Sequence, residues 1–355
     1  MSIVQTVIGV GERAPWPDTL TRAAINWLVG RTRRELSGSS TDADRSFAQD
    51  MARYPIAVHV DEANAQHYEI PAEFFALVLG PQRKYSCCLY GDGLETLATA
   101  EERALEVSAE HAMLADGQRI LELGCGWGSL SLWMARKFPS GRITSVSNSN
   151  SQRDFISWVA RAQGLSNLEV ITADMNDFRP SGRFDRVVSI EMFEHMANWR
   201  PLLERMRDCL ESDGRMFMHV FSNEQASYRF SVDDKEDWIA QHYFTGGIMP
   251  SHDLIRFFPD CFTVDAEWRW NGRHYQRTAQ DWLQNFDRNS DVIFEILRGV
   301  YGRDARLWQR RWRLFFLATM GLFGYADGEE WGVSHYRLAP VSATHRYISA
   351  FGGAD

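Results

Sequence analysis

The chain has 355 residues, of which 45% are hydrophobic and 13% aromatic, enough for a large core in one enlarged domain or two small ones. Its net charge of −9 argues against nucleic acid as a partner and against general attraction to anionic membranes. No apolar run reaches the roughly 18 residues that a membrane-spanning helix needs, so no integral membrane association is expected.

The N-terminus lacks a signal peptide's apolar core, and the five cysteines (Cys87, Cys88, Cys125, Cys209, Cys261) form no C-x-x-C pair. That pattern predicts neither disulfides nor structural zinc, in a reducing, cytoplasmic setting. Residues 1–50 read as helical. Within them, 20–36 alternate apolar residues with Arg22, Arg31, Arg33 and Arg34, predicting a helix that docks by one face. Residues 38–44, rich in Ser, Thr and Asp, read as a loop. Over 55–90 periodicity is poor and polar aromatics are dense, which predicts helix and loop wrapped over a site. A helix over 95–112 follows.

The central stretch is R-I-L-E-L-G-C-G-W-G-S-L-S, residues 119–131. An apolar run, 120–123, reads as a buried strand that breaks into Gly124, Gly126 and Gly128 before a helix to about 138. Glycines at such a turn let the backbone approach a ligand. Further strands are predicted at 142–147, 168–172, 186–190 and 215–221, with helices over 150–163 and 199–209. This alternation means an α/β fold, a Rossmann-like parallel sheet with helices on both faces. Ligands in such sheets sit beyond the carboxyl ends of the strands, so Gly124, Asn148, Asp174 and Glu191 should face one crevice.

Beyond residue 222 the rhythm stops. A strand over 262–270, helices over 276–297 and 305–323, and a last strand over 331–338 complete the reading. The expected division is an N-terminal helical cap (1–112), a Rossmann-like core (113–222), a lid inserted at 223–330, and a final core strand with tail (331–355).

A dinucleotide site would need G-x-G-x-x-G, but Ser129 stands at the third glycine position, and 147–149 supply Ser-Asn-Ser where a ribose-gripping carboxylate would be expected. The E-x-G-x-G turn instead resembles the first motif of S-adenosylmethionine (SAM) dependent methyltransferases. After the fourth strand, Glu191, Glu194 and His195 at i, i+3 and i+4 would share one helical face. Clustered carboxylates raise one another's pKa, and an imidazole can take or relay a proton. No ligand cluster has the spacing of a metal site.

Six segments carry a more specific resemblance: P-I-A-V-H-V-D-E-A-N-A-Q-H-Y-E-I-P-A-E-F-F, K-Y-S-C-C-L-Y, L-E-L-G-C-G-W-G, S-N-S-N-S-Q, I-E-M-F-E-H-M-A-N-W and F-G-Y-A-D-G-E-E-W-G-V-S-H. They resemble the coclaurine N-methyltransferase group of the cyclopropane fatty acid synthase superfamily, over nearly the whole chain. The resemblance implies SAM as methyl donor, S-adenosylhomocysteine (SAH) as product and a small-molecule amine as acceptor, with a homodimer as one option. It places Ser86, Gly124 and Gly126 at the methionine end of SAM, Asn148 and Gln152 at the ribose and adenine side, and Asp174 and Met175 at the adenine. Glu194 with His195 would take the amine's proton, Glu191 with Glu69 would bind the ammonium, and Tyr68 and Trp331 would lie near the substrate.

The alternative within that resemblance is cyclopropane-synthase chemistry, methylation of an unsaturated lipid chain with bicarbonate as base. Cys87, Glu194, His219 and Tyr275 match the four positions that hold the bicarbonate there. Against it stand Glu191, at a place often glycine in cyclopropane synthases, and the G-E-E-W-x-x-S-H ending.

Overall fold

The computed structural model describes residues 12, 16–38, 41–58, 70–91, 94–231 and 237–341. Seven strands form one sheet: β1 (Arg119–Leu123), β2 (Arg142–Ser147), β3 (Leu168–Thr172), β4 (Phe184–Ile190), β5 (Leu210–Asn223), β8 (Phe262–Trp270) and β9 (Trp331–Pro340), in the order β3-β2-β1-β4-β5-β9-β8. A separate two-stranded ribbon pairs β6 (Tyr228–Arg229) with β7 (Ile248–Met249). The pairs from β3 to β5 are parallel, and β9 runs antiparallel to both its neighbours. This is the α/β sheet expected from the strand–helix rhythm.

Side chains of successive strand residues point to opposite faces, and β1 shows why both faces need helices. Ile120 packs with Leu105 and Met134, from the helices Leu97–His111 and Ser129–Lys137. Leu121 and Leu123 pack with Trp199 and Leu202 of the helix Trp199–Cys209 on the other face. All three of these β1 residues are fully buried, so apolar side chains pack on both faces of the strand. Strand order reverses between β1 and β4, and a crevice opens beyond their carboxyl ends at such a reversal.

A second aromatic core lies among the helices Asp18–Leu36, Ala72–Val78, Arg273–Arg288, Ser290–Tyr301 and Ala305–Gly324, built on Phe74, Trp282, Trp312 and Phe316. The N-terminal helix docks through Ile25, Val29 and Gly30, and Arg33 at its far end pairs with Glu330 at 2.7 Å.

Two expectations change. The loop read at 38–44 gives way to a helix from Thr41 to Asp50, because Asp42 and Asp44 sit in its first turn, where the helix dipole favours carboxylates. The single helix read over 276–297 is two, broken at Asn289. There the carboxamide donates to Leu77 O and Asn285 O, both at 3.0 Å, tying the break to the neighbouring helix Ala72–Val78. No helix among the described residues is long and apolar enough to cross a membrane.

Candidate active site

The crevice at the strand reversal is a cavity with two chemically different ends. At the first, β1 runs into the glycine turn. Gly124 N–H and Cys125 N–H both donate to Val146 O (2.9 and 3.0 Å), which ties the turn to β2. Gly126 takes φ +52°, and a Cβ there would meet nothing within 4 Å, so the backbone faces open space. Gly124, at φ +74°, is needed for another reason: a Cβ would lie 2.5 Å from the Met192 side chain.

Ser86, Gly124, Gly126, Asn148, Gln152, Asp174 and Met175 all line this cavity. Ser149 caps the helix Asn150–Ala162 by accepting from Gln152 N–H, and the Gln152 carboxamide oxygen accepts from Ser147 Oγ at 2.7 Å. These bonds fix the turn that carries Asn148. Glu122 also lines the cavity, its carboxyl accepting from Ser131 Oγ and, at 2.7 Å, from Ser145 Oγ. Burial pushes this carboxyl up to about 7 against the pull of the two hydroxyls.

The other end is organised around Glu191, the residue after β4. Its φ of +47° puts a non-glycine residue in the left-handed region, a conformation that costs roughly 1–2 kcal/mol. The strain aims the carboxylate into a set of donors. Oε1 accepts from Cys87 N–H at 2.8 Å and lies 3.1 Å from His219 Nε2, and Oε2 accepts from Tyr275 OH at 2.6 Å. Lys84, fully buried, donates from Nζ to Ser86 Oγ (2.5 Å) and Cys87 O (2.7 Å), adding a positive charge near the same carboxylate.

Glu194 is placed differently. The segment Phe193–His195 is a single 3-10 turn, and it parts Glu194 from the other two expected groups. Glu191 and His195 line the cavity, but Glu194 is not among the lining residues. The Glu194 carboxyl is fully buried, accepts from Phe221 N–H at 2.7 Å, and has its Oε2 without a partner. Burial and the charge of Glu191 hold it well above the usual carboxylate range. Burial also raises Glu191, but Lys84, Cys87 N–H, Tyr275 and His195 pull it back. Both carboxyls are raised on balance, Glu194 well above the usual range, so of the two Glu191 is the one whose surroundings favour the charge and Glu194 the one that favours the proton.

The His195 ring stacks on Phe244 with centroids 5.0 Å apart and planes at 7°. Tyr275 stacks on Phe323, and Trp282 and Phe315 complete an aromatic wall at this end. His219 sits behind Glu191, outside the lining, and Trp331 is fully buried with its indole N–H donating to Tyr228 OH at 3.3 Å. Tyr68 and Glu69 lie outside the described residues. Lys84 opens the K-Y-S-C-C-L-Y segment, but nothing in its spacing signals an ammonium buried beside Glu191.

The mycolic acid cyclopropane synthetase family model matches residues 58–323. An (S)-coclaurine N-methyltransferase of Thalictrum flavum subsp. glaucum is 35% identical over 330 residues, 90% of this chain and 91% of the relative. A cyclopropane-fatty-acyl-phospholipid synthase of Escherichia coli (strain K12) is 28% identical over 263 residues, 69% of this chain and 65% of the relative. A crystal structure of coclaurine N-methyltransferase bound to N-methylheliamine and SAH matches with a TM-score of 0.91 at 31% identity, covering 95% of this chain and 99% of that one. The α/β sheet, the glycine turn and the matched span agree: the chain belongs to the mycolic acid cyclopropane synthetase family and is a SAM-dependent methyltransferase.

Proposed function

We propose that the enzyme methylates the nitrogen of a small-molecule amine, and that Glu191 and His195 carry the acceptor end of the reaction. The observation behind this reading is the seat of the Glu191 carboxylate. It accepts from Cys87 N–H and Tyr275 OH and lies beside His219, three of the four positions that the cyclopropane-synthase resemblance assigns to bicarbonate. The chain's own carboxylate fills that place, so the base is already built in.

When bound, SAM supplies an electrophilic methyl on its sulfonium. Gly126, with open space at its missing Cβ, and the lining residues Ser86, Asn148 and Asp174 suit the cofactor's methionine, ribose and adenine parts. An alkylamine is mostly protonated at neutral pH and has no lone pair to attack with. The anionic Glu191 and the aromatic wall of Tyr275, Trp282 and Phe315 favour a cation at this end. Glu191 and His195 then remove its proton, a contribution of roughly 10²–10⁴ in rate. Glu194, closed off from the cavity with its carboxyl accepting from Phe221 N–H, favours the charge on Glu191 by holding its own proton. The segment 223–330 supplies Phe244, Thr245, Tyr275, Trp282 and Phe315 to the lining, which supports its reading as a cover over the substrate.

The lipid alternative is separated by SAM carrying a fully deuterated methyl. N-methylation keeps all three deuteriums in the product, whereas cyclopropanation loses one. Intact label on an amine with no response to bicarbonate is the expected result; loss of one deuterium into a lipid product, or bicarbonate dependence, would replace this reading with the other.

A further inference from the structure

Behind Glu191, imidazoles run in a row across the sheet toward the surface. His219 of β5 and His335 of β9 are partners in register, and Trp268 of β8 is the next partner of His335. His219 Nε2 lies 3.1 Å from Glu191 Oε1, its Nδ1 lies 2.9 Å from His335 Nε2, and His335 Nδ1 lies 2.9 Å from His111 Nδ1. His219 and His335 are fully buried. His111 is half-buried at the end of the helix Leu97–His111, its ring stacked on Trp268 with centroids 3.7 Å apart.

Each nitrogen of the two buried rings is therefore committed, one toward the carboxylate and one toward the surface. A neutral imidazole has one donor and one acceptor nitrogen, so the row can be donated through in a single direction from end to end. Burial holds both inner rings well below the usual imidazole range, which keeps them neutral and able to pass a proton without storing charge. Two imidazoles used only as filler would be an expensive choice, since apolar side chains fill such space without any need for polar partners.

We propose that this row is the exit path for the proton released at Glu191, with His219, His335 and His111 as positioning residues for the N-methylation proposed above, on which this inference rests. The Glu191 O–H bond breaks as His219 Nε2–H forms. His219 Nδ1–H passes to His335 Nε2, His335 Nδ1–H passes to His111 Nδ1, and His111 Nε2–H leaves to water. One proton enters and one leaves and no electrons are exchanged; each ring ends as its other tautomer, and loss of that N–H to water with protonation of the opposite nitrogen restores the first between turnovers.

Full-length His111→Phe keeps the stack on Trp268 and removes both nitrogens. With coclaurine and SAM, kcat falls about tenfold, within the range of proton-transfer contributions, while the KM for SAM is unchanged. The solvent deuterium isotope effect on kcat rises, and added imidazole restores the activity of His111→Ala. A second measurement needs no substrate: the ring N–H protons of His219 and His335, followed by 15N-detected NMR in the wild-type chain and in His111→Phe, exchange with solvent about tenfold more slowly in the variant. Wild-type kcat, isotope effect and exchange in His111→Phe overturn the exit path. Slowed exchange in a chain that methylates no amine upholds the path and overturns the N-methylation reading instead.

Discussion

The two ends of the cavity are built in opposite ways. At the glycine end the turn itself is one contiguous stretch, 122–129, joined by Ser86, Asn148, Gln152, Asp174 and Met175, and at Gly126 it presents backbone with no side chain to intrude. The Glu191 end is assembled from residues 84, 87, 191, 195, 219 and 275, and presents side chains whose charges depend on one another. A backbone cradle tolerates change around it and fails only when something enters it. A charged cluster fails whenever one partner is removed, because the remaining group is left buried and unpaired.

The largest break in that contrast should come from Glu191→Gln. It removes the anion but keeps the shape, so kcat should drop by about 10³ while SAM affinity, measured by calorimetry, stays at the wild-type value. Parallel losses in kcat and SAM binding would mean that the two ends are not independent.

A smaller effect is expected from Glu122, the carboxyl on β1 just before the glycine turn. Its carboxyl is raised from 4.5 to about 7 by burial, so between those values the folded chain holds a proton that the unfolded chain has lost. Stability should fall as pH rises through that window, by about 3 kcal/mol from this group, and Glu122→Gln should remove that part of the slope. Urea denaturation of both chains between pH 4.5 and 7.5 reads it directly; identical slopes would show that Glu122 ionises normally.

Gly126→Ala tests the cradle itself. A methyl at φ +52° costs roughly 1–2 kcal/mol and projects into the ligand's space, so SAM affinity should weaken about tenfold or more. Turnover at saturating SAM should change far less. The smallest effect should belong to Glu194→Gln. A carboxyl that already keeps its proton loses little when it becomes an amide, and kcat should stay within about threefold, less than 1 kcal/mol. A loss as large as that of Glu191→Gln would return the proton-accepting role to Glu194.

The same contrast explains how much was legible in the sequence. Strands β1–β3, β8 and the glycine turn could be read closely because their signals are local: an apolar run, alternate glycines, then helical spacing. The Glu191 cluster could not be read that way. Cys87, His219 and Tyr275 are far apart in the chain, and only the resemblance to a known family brought them together. Spacing even misled at 191–195, where an i, i+3, i+4 pattern predicts one shared face and the 3-10 turn separates Glu194 from the cavity. Lys84, His219 and His335 stand in or at positions that the resemblance marks, but their grouping with Glu191 and His111 had no sequence signal, since it comes from strand register and helix docking.

The central claim is that a methyl donor at the glycine turn and a carboxylate at Glu191 meet across one cavity. A crystal structure with SAH and an amine bound together tests it most directly. The account predicts the amine nitrogen within hydrogen-bonding reach of Glu191 or His195 and on the line of approach to the cofactor's sulfur. A nitrogen held elsewhere, or a sulfur turned away from Glu191, would contradict it.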